Sequence, residues 1–95
     1  MDKGVIEVGG IKLETLVVKF KQANLVLVNA PKGFIMCGYL NIEAAQKMGD
    51  AACIITGVST VEELLAKPVV NLTTKAEDLG ITRGITGEEA LKKML

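Results

Sequence analysis

Cys37, in the run Met36-Cys37-Gly38-Tyr39-Leu40, is the side chain of this sequence best suited to covalent chemistry. A thiol beside a glycine, with Tyr39 two residues on and hence on the same strand face, could line a pocket whose floor is open because Gly38 carries no side chain. A nucleophilic thiol needs a lowered pKa, which a histidine commonly supplies. The chain has no histidine, so only a lysine or a helix N-terminus could do it. Burial of Cys37 as a small hydrophobe is therefore the favoured reading.

The second candidate is the glycine-rich stretch from Gly80 to Gly87, GITRGITG, ahead of a helix. Backbone N–H groups at a helix start can hold an anion, and Arg83, the only arginine, could assist. Against this, Glu88 and Glu89 already occupy the positive end of that helix and would repel a phosphate. The stretch also lacks the Lys and following Ser or Thr of a nucleotide P-loop. A tight turn between two helices is the plainer reading. If a ligand pocket exists, Cys37, Gly38 and Tyr39 line it, and Arg83 or the backbone of Gly84, Thr86 and Gly87 reaches it from the side. The sequence leaves the identity of any cofactor unknown. Cys37 and Cys53 lie sixteen residues apart without His partners, which excludes the closely spaced ligand set of a zinc site.

The elements that must position these residues follow from pattern. Phe34 to Asn41, FIMCGYLN, is too short for a membrane span and too apolar for an exposed loop, and reads as a strand buried on both faces. Before it stand Val5 to Val8, a Gly9-Gly10 hairpin turn, Ile11 to Phe20, a polar break at Lys21 to Asn24, and Leu25 to Val28. The apolar alternation of Ile11 to Phe20 changes phase near Thr15, which a bulge or burial of both faces would produce. Leu25 to Val28 and FIMCGYL, linked through Pro31-Lys32-Gly33, read as antiparallel partners at the centre of the sheet.

Asn41 is placed to cap a helix that buries Ile42, Ala45 and Met48 and ends at Gly49. Ala51 to Thr56 is a fifth strand. Thr60 with Glu63, Thr74 with Glu77 and Thr86 with Glu89 have capping-box spacing and predict three further helices. Val61, Leu64 and Leu65 face inward in the first of them, which runs to Pro68. The second carries Ala76 and Leu79 and stops at Gly80, and the last carries Ala90, Leu91 and Met94 on one face. Val69 to Leu72 is a short sixth strand. The order predicts an α+β fold with a largely antiparallel sheet built from N-terminal meander strands and three to four short helices on one face. Residues 1–95 form one domain, with 1–40 as its β region.

A chain of 95 residues buries only roughly 60 to 65% of its unfolded surface. Hydrophobic residues make up 49% of it and aromatics 3%, so the core is built from Val, Ile, Leu, Ala and Met. Several strands are apolar on both faces, whereas one subunit's helices can cover one face only, so a homo-oligomer is expected. Eleven basic residues balance eleven acidic ones without a run of five like charges, which argues against nucleic-acid or anionic-membrane partners. No apolar run reaches the roughly 20 residues of a spanning helix, and MDKGVIEVGG lacks a signal-peptide core. A cytoplasmic protein is expected, with Cys37 and Cys53 as buried thiols.

Met36 to Leu40, Ala76-Glu77-Asp78-Leu79-Gly80-Ile81, and Gly84-Ile85-Thr86-Gly87-Glu88-Glu89-Ala90-Leu91 together resemble the pattern of the YunC-like family, small bacterial and archaeal proteins of unknown function. The N-terminal strands match it in hydrophobic pattern only. Asn41 stands where relatives often carry Asp, and Ile85 where they often carry Met. The resemblance implies an α+β fold whose N-terminal β region serves tetramerisation, and it brings no catalytic residues. Two classes of function remain: a non-catalytic homo-oligomer that binds a small molecule or partner, which is favoured, and a small enzyme using Cys37.

Overall fold

The computed structural model describes residues 2–95. Six strands, β1 (Asp2–Val8), β2 (Ile11–Lys19), β3 (Asn24–Ala30), β4 (Gly33–Cys37), β5 (Ala52–Ile55) and β6 (Asn71–Leu72), lie side by side in chain order. Every neighbouring pair is antiparallel except β4 and β5, which run parallel because α1 (Ile42–Met48) carries the chain back between them. The fold is α+β, and β1 to β4 form the expected meander.

Strand alternation divides the sheet into two faces. One carries Leu13, Thr15, Val26, Val28, Ile35, Cys37, Cys53 and Ile55, and packs against Leu64 of α2 (Val61–Ala66), Ala76 of α3 (Thr74–Asp78), and Ala90 and Leu91 of α4 (Gly87–Lys92). The opposite face holds a smaller cluster, in which Ala45 of α1 meets Met36, Ala52 and Ile54. Three helices thus share one face and α1 takes the other, roofing β4 and β5. Over β1 to β3 that second face is not roofed by a helix among the described residues, and its Val5 is 63% exposed while Leu16, Val18 and Leu27 are half-buried.

The phase change in β2 is not a bulge. Pairing with β1 and with β3 runs through Thr15 without an extra residue, opposite Gly4 on one side and Val28 on the other. Thr15 is buried in step with Leu13, and Leu16 and Val18 are apolar because they belong to the other face.

The caps show how local sequence sets helix starts. Asn41 accepts the Glu43 N–H at 2.8 Å and Gly49 closes α1 at φ 79°. Met48, expected inside, is 79% exposed, because seven residues of helix over a two-strand platform bury Ala45 and leave the last turn overhanging. At α3 the cap is Thr73 rather than Thr74. The buried Thr73 hydroxyl accepts the Ala76 and Ala52 N–H groups and donates to the Asp50 carbonyl, tying the helix start to β5. Thr74 instead exchanges bonds with Gln46 of α1. Thr86 and Glu89 form the full reciprocal box. Thr60 caps α2, but the Glu63 carboxylate reaches back one residue further, to the Ser59 N–H at 2.9 Å.

Candidate functional site

The parallel pairing of β4 with β5 brings the C-terminal ends of both strands to one rim, and the chain turns sharply after each. β4 stops at Cys37, opposite Ile55, because Gly38 and Tyr39 form a turn closed by the Leu40 N–H on the Cys37 carbonyl at 3.3 Å. The expectation of one strand through Leu40 is therefore corrected. Tyr39 lies beyond the strand, not on the Cys37 face of it, and is 51% exposed where Cys37 is 2% exposed.

The turn nevertheless keeps Cys37, Gly38 and Tyr39 together as one wall of an open cleft of about 450 Å³. Facing them are Asn24 at the start of β3 and the loop after β5, with Gly57 and Ser59. Three bonds hold that loop in place. The Asn24 side-chain amide donates to the Ser59 carbonyl at 3.0 Å, the Ser59 N–H donates to Glu63, and the Lys67 ammonium donates to the Gly57 carbonyl at 2.6 Å. Gly57 sits at φ 72°, a conformation that disfavours any side chain there. At the rim, Tyr39 meets Phe20 edge to face with ring centroids 5.4 Å apart, and Phe20 is likewise 51% exposed. Two of the three aromatic residues of the chain are thus gathered at the surface beside this cleft.

The Cys37 sulfur is engaged by the protein itself. It accepts the Val26 N–H at 3.3 Å, and its S–H lies 4.0 Å from the Asn24 carbonyl oxygen. Both partners are neutral main-chain groups, and no residue lining the cleft carries a formal charge. Cys53 lies deeper on the same sheet face, and burial pushes its thiol up to about 12, so it stays protonated at neutral pH.

The glycine-rich stretch is elsewhere, and the N–H groups of its Gly84, Thr86 and Gly87 are already paired. The Val69 N–H donates to the Ile85 carbonyl, and the Gly84 and Gly87 N–H groups donate to the Val69 and Lys67 carbonyls. The Thr86 N–H goes to the Glu89 carboxylate at 3.1 Å. Arg83 reaches across to Asn71 on β6 at 3.1 Å. The structure thus brings Cys37, Gly38 and Tyr39 together, and places Arg83, Gly84, Thr86 and Gly87 outside the lining of that cleft. Gly87 answers instead to packing, since a β-carbon on it would collide with the Leu64 carbonyl oxygen of α2.

Asn24, Gly57 and Ser59 were not singled out from the sequence. Their signals, a polar break and a Gly-x-Ser turn after a strand, mark loops in general, and it takes both the antiparallel β3–β4 and the parallel β4–β5 pairing to set these two loops against each other. Among the described residues no three Cys, Asp or Glu side chains converge as a metal site, and no helix is long and apolar enough to cross a membrane.

Comparison with known proteins places these features in a wider group. Residues 36–94 match the domain of unknown function DUF1805. The chain is 37% identical over 94 residues to the uncharacterized protein YunC of Bacillus subtilis (strain 168), covering 95% of this chain and 93% of that one. It superimposes with a TM-score of 0.93 on the crystal structure of a protein of unknown function, TA1206 from Thermoplasma acidophilum. That match has 32% identity and covers 99% of this chain and 92% of the other.

Proposed function

Since the chain belongs to the DUF1805 family of YunC-like proteins, whose function is not assigned, we propose from its own cleft that it is a non-catalytic, small-molecule-binding module. Its ligand site is the cleft between the Gly38-Tyr39 turn and the Gly57–Ser59 loop. One observation carries this reading: the thiol at the site, Cys37, is 2% exposed and bonded to neutral main-chain groups in a cleft without a charged side chain, and the hydroxyls of Ser59 and Tyr39 have no histidine to activate them. The cleft offers no positively charged side chain, the usual means of activating a cysteine. The amide of Asn24, the hydroxyl of Ser59 and the ring of Tyr39 are instead suited to orienting a bound molecule.

The same reading includes self-assembly through the N-terminal β region, as a tetramer. Support comes from the uncovered part of the second face, where Leu16 and Val18 extend the cluster under α1 outward from Leu27 toward the exposed Val5. A stable interface removes about 800 Å² per partner from water, and such an apolar extension is the natural centre of one.

Iodoacetamide labelling at neutral pH tests the non-catalytic assignment. Cys37 should remain unmodified until the protein is unfolded. Labelling of native Cys37 faster than a free thiol would overturn the assignment and return Cys37 to the role of nucleophile. Light scattering at micromolar concentration tests assembly, and a folded monomer would end that part of the reading.

A further inference from the structure

Resting on the cleft as a binding site, we infer that its ligand is an uncharged, planar molecule of one or two fused rings, bound against the Phe20–Tyr39 pair. The electrostatics select the charge. A charged ligand entering the cleft would shed water and meet no counter-charge, because every lining residue is neutral. The Lys67 ammonium, which reaches the Gly57 loop, is committed to the Gly57 carbonyl at 2.6 Å and shares its charge with Glu63 at 3.9 Å.

The size selects a small molecule. Gly38 and Gly57 both line the cleft without side chains. Gly57 needs to be glycine for its φ of 72°, but Gly38 does not have a positive φ, and a β-carbon there would meet only the Thr56 side chain, at 3.3 Å. The absence of a side chain at Gly38 therefore lets the turn after β4 lie close against Thr56 and the loop that follows it. A volume of about 450 Å³ is in the range of small-ligand sites, and its open mouth suits a molecule of roughly 10 non-hydrogen atoms.

Aromatic surface is scarce in this chain and would be costly to leave in water without a use. Phe20 braces the Tyr39 ring edge to face, which holds the ring at the rim as a stacking platform. Polar specificity comes from Ser59. Its N–H and carbonyl are both taken by the bonds that hold the loop, so the group it offers a ligand is the hydroxyl.

Indole, indole-3-acetate, tryptamine and cyclohexanol separate these properties, since the first three share a ring system and differ in charge. They are titrated into the isotopically labelled full-length protein while the amide resonances of Gly38, Tyr39, Gly57 and Ser59 are followed. Indole should shift these amides saturably, with the charged analogues and cyclohexanol each at least 10-fold weaker. Tyr39→Leu should weaken indole at least fivefold and leave the rest of the spectrum unchanged. Tighter binding of indole-3-acetate or tryptamine at the same amides, or no effect of Tyr39→Leu, would overturn the ligand class and leave the binding site standing. Failure of all four probes to shift these amides would overturn the site itself.

Discussion

Gly87, the first residue of α4, lies directly against the main-chain carbonyl of Leu64 in α2, with no room between them for a β-carbon. The contact is anchored by the Gly87 N–H on the Lys67 carbonyl at 3.1 Å and by the bridge between Pro68 and Thr86. The end of the glycine-rich stretch is thus the place where two helices approach through their backbones; Gly87 answers to that packing, and Gly80 and Gly84 to their positive φ.

Gly87→Ala should accordingly destabilise the protein by about 1–3 kcal/mol, because α4 must move away from α2 and loosen Ala90 and Leu91 in the core. Gly38→Ala, where the new methyl meets only the Thr56 side chain, should cost less than about 1 kcal/mol. Urea unfolding of the two variants should give that order.

Among the threonines at helix starts, Thr73→Ala should be the most harmful. Its hydroxyl is 1% exposed and makes three bonds, so truncation strands the buried Ala52 N–H as well as uncapping α3, for about 2–3 kcal/mol. Thr86→Ala removes a half-buried cap and should cost about 1 kcal/mol. Thr74→Ala loses an exposed bond to Gln46 and should fall below about 0.5 kcal/mol. Equilibrium unfolding ranks the three.

Acid should loosen the starts of α2 and α4. The Ser59 N–H foremost holds the Glu63 carboxyl below its ordinary 4.5, and the Thr86 N–H and hydroxyl do the same for Glu89. A carboxyl whose folded pKa is depressed contributes stability that is fully present above its unfolded value and is lost as pH falls through the folded one. Stability should therefore decline as pH falls below about 4.5, and the paired substitution Glu63→Gln with Glu89→Gln should flatten that limb. Chemical denaturation at a series of pH values measures it.

Opposite faces of β2 should respond differently to charge. Val17 packs against the main core, and Val17→Lys should leave little folded protein. Val18 is half-buried on the face without a helix, and Val18→Lys should retain the far-ultraviolet spectrum while lowering the mass seen by light scattering. If both variants unfold alike, Val18 is core in its own right and the proposed interface lies elsewhere.

Elements with a local cause were legible in the sequence. Gly9-Gly10 turns β1 into β2, Asn41 and Gly49 bracket α1, and Thr86 with Glu89 starts α4, because each device acts within a few residues. The alternation of apolar residues likewise indicated a sheet with helices packed against it. Where pattern and structure part, a distant contact decides. Thr73 outcompetes Thr74 as a cap because the buried edge of β5 offers it Ala52 and Asp50 as partners. Met48 is left outside because α1 covers only two strands. The site divides in the same way: Cys37, Gly38 and Tyr39 are neighbours in the chain, so one stretch of sequence suffices to group them. Asn24 joins them through the antiparallel pairing of β3 with β4 and Ser59 through the parallel return of β5 beside β4, and Arg83 is drawn off to Asn71 by the edge strand β6. Sequence determines what a residue can do with its near neighbours, whereas the crossover through α1 decides which loops share a rim, since strand pairing depends on contacts across the whole sheet.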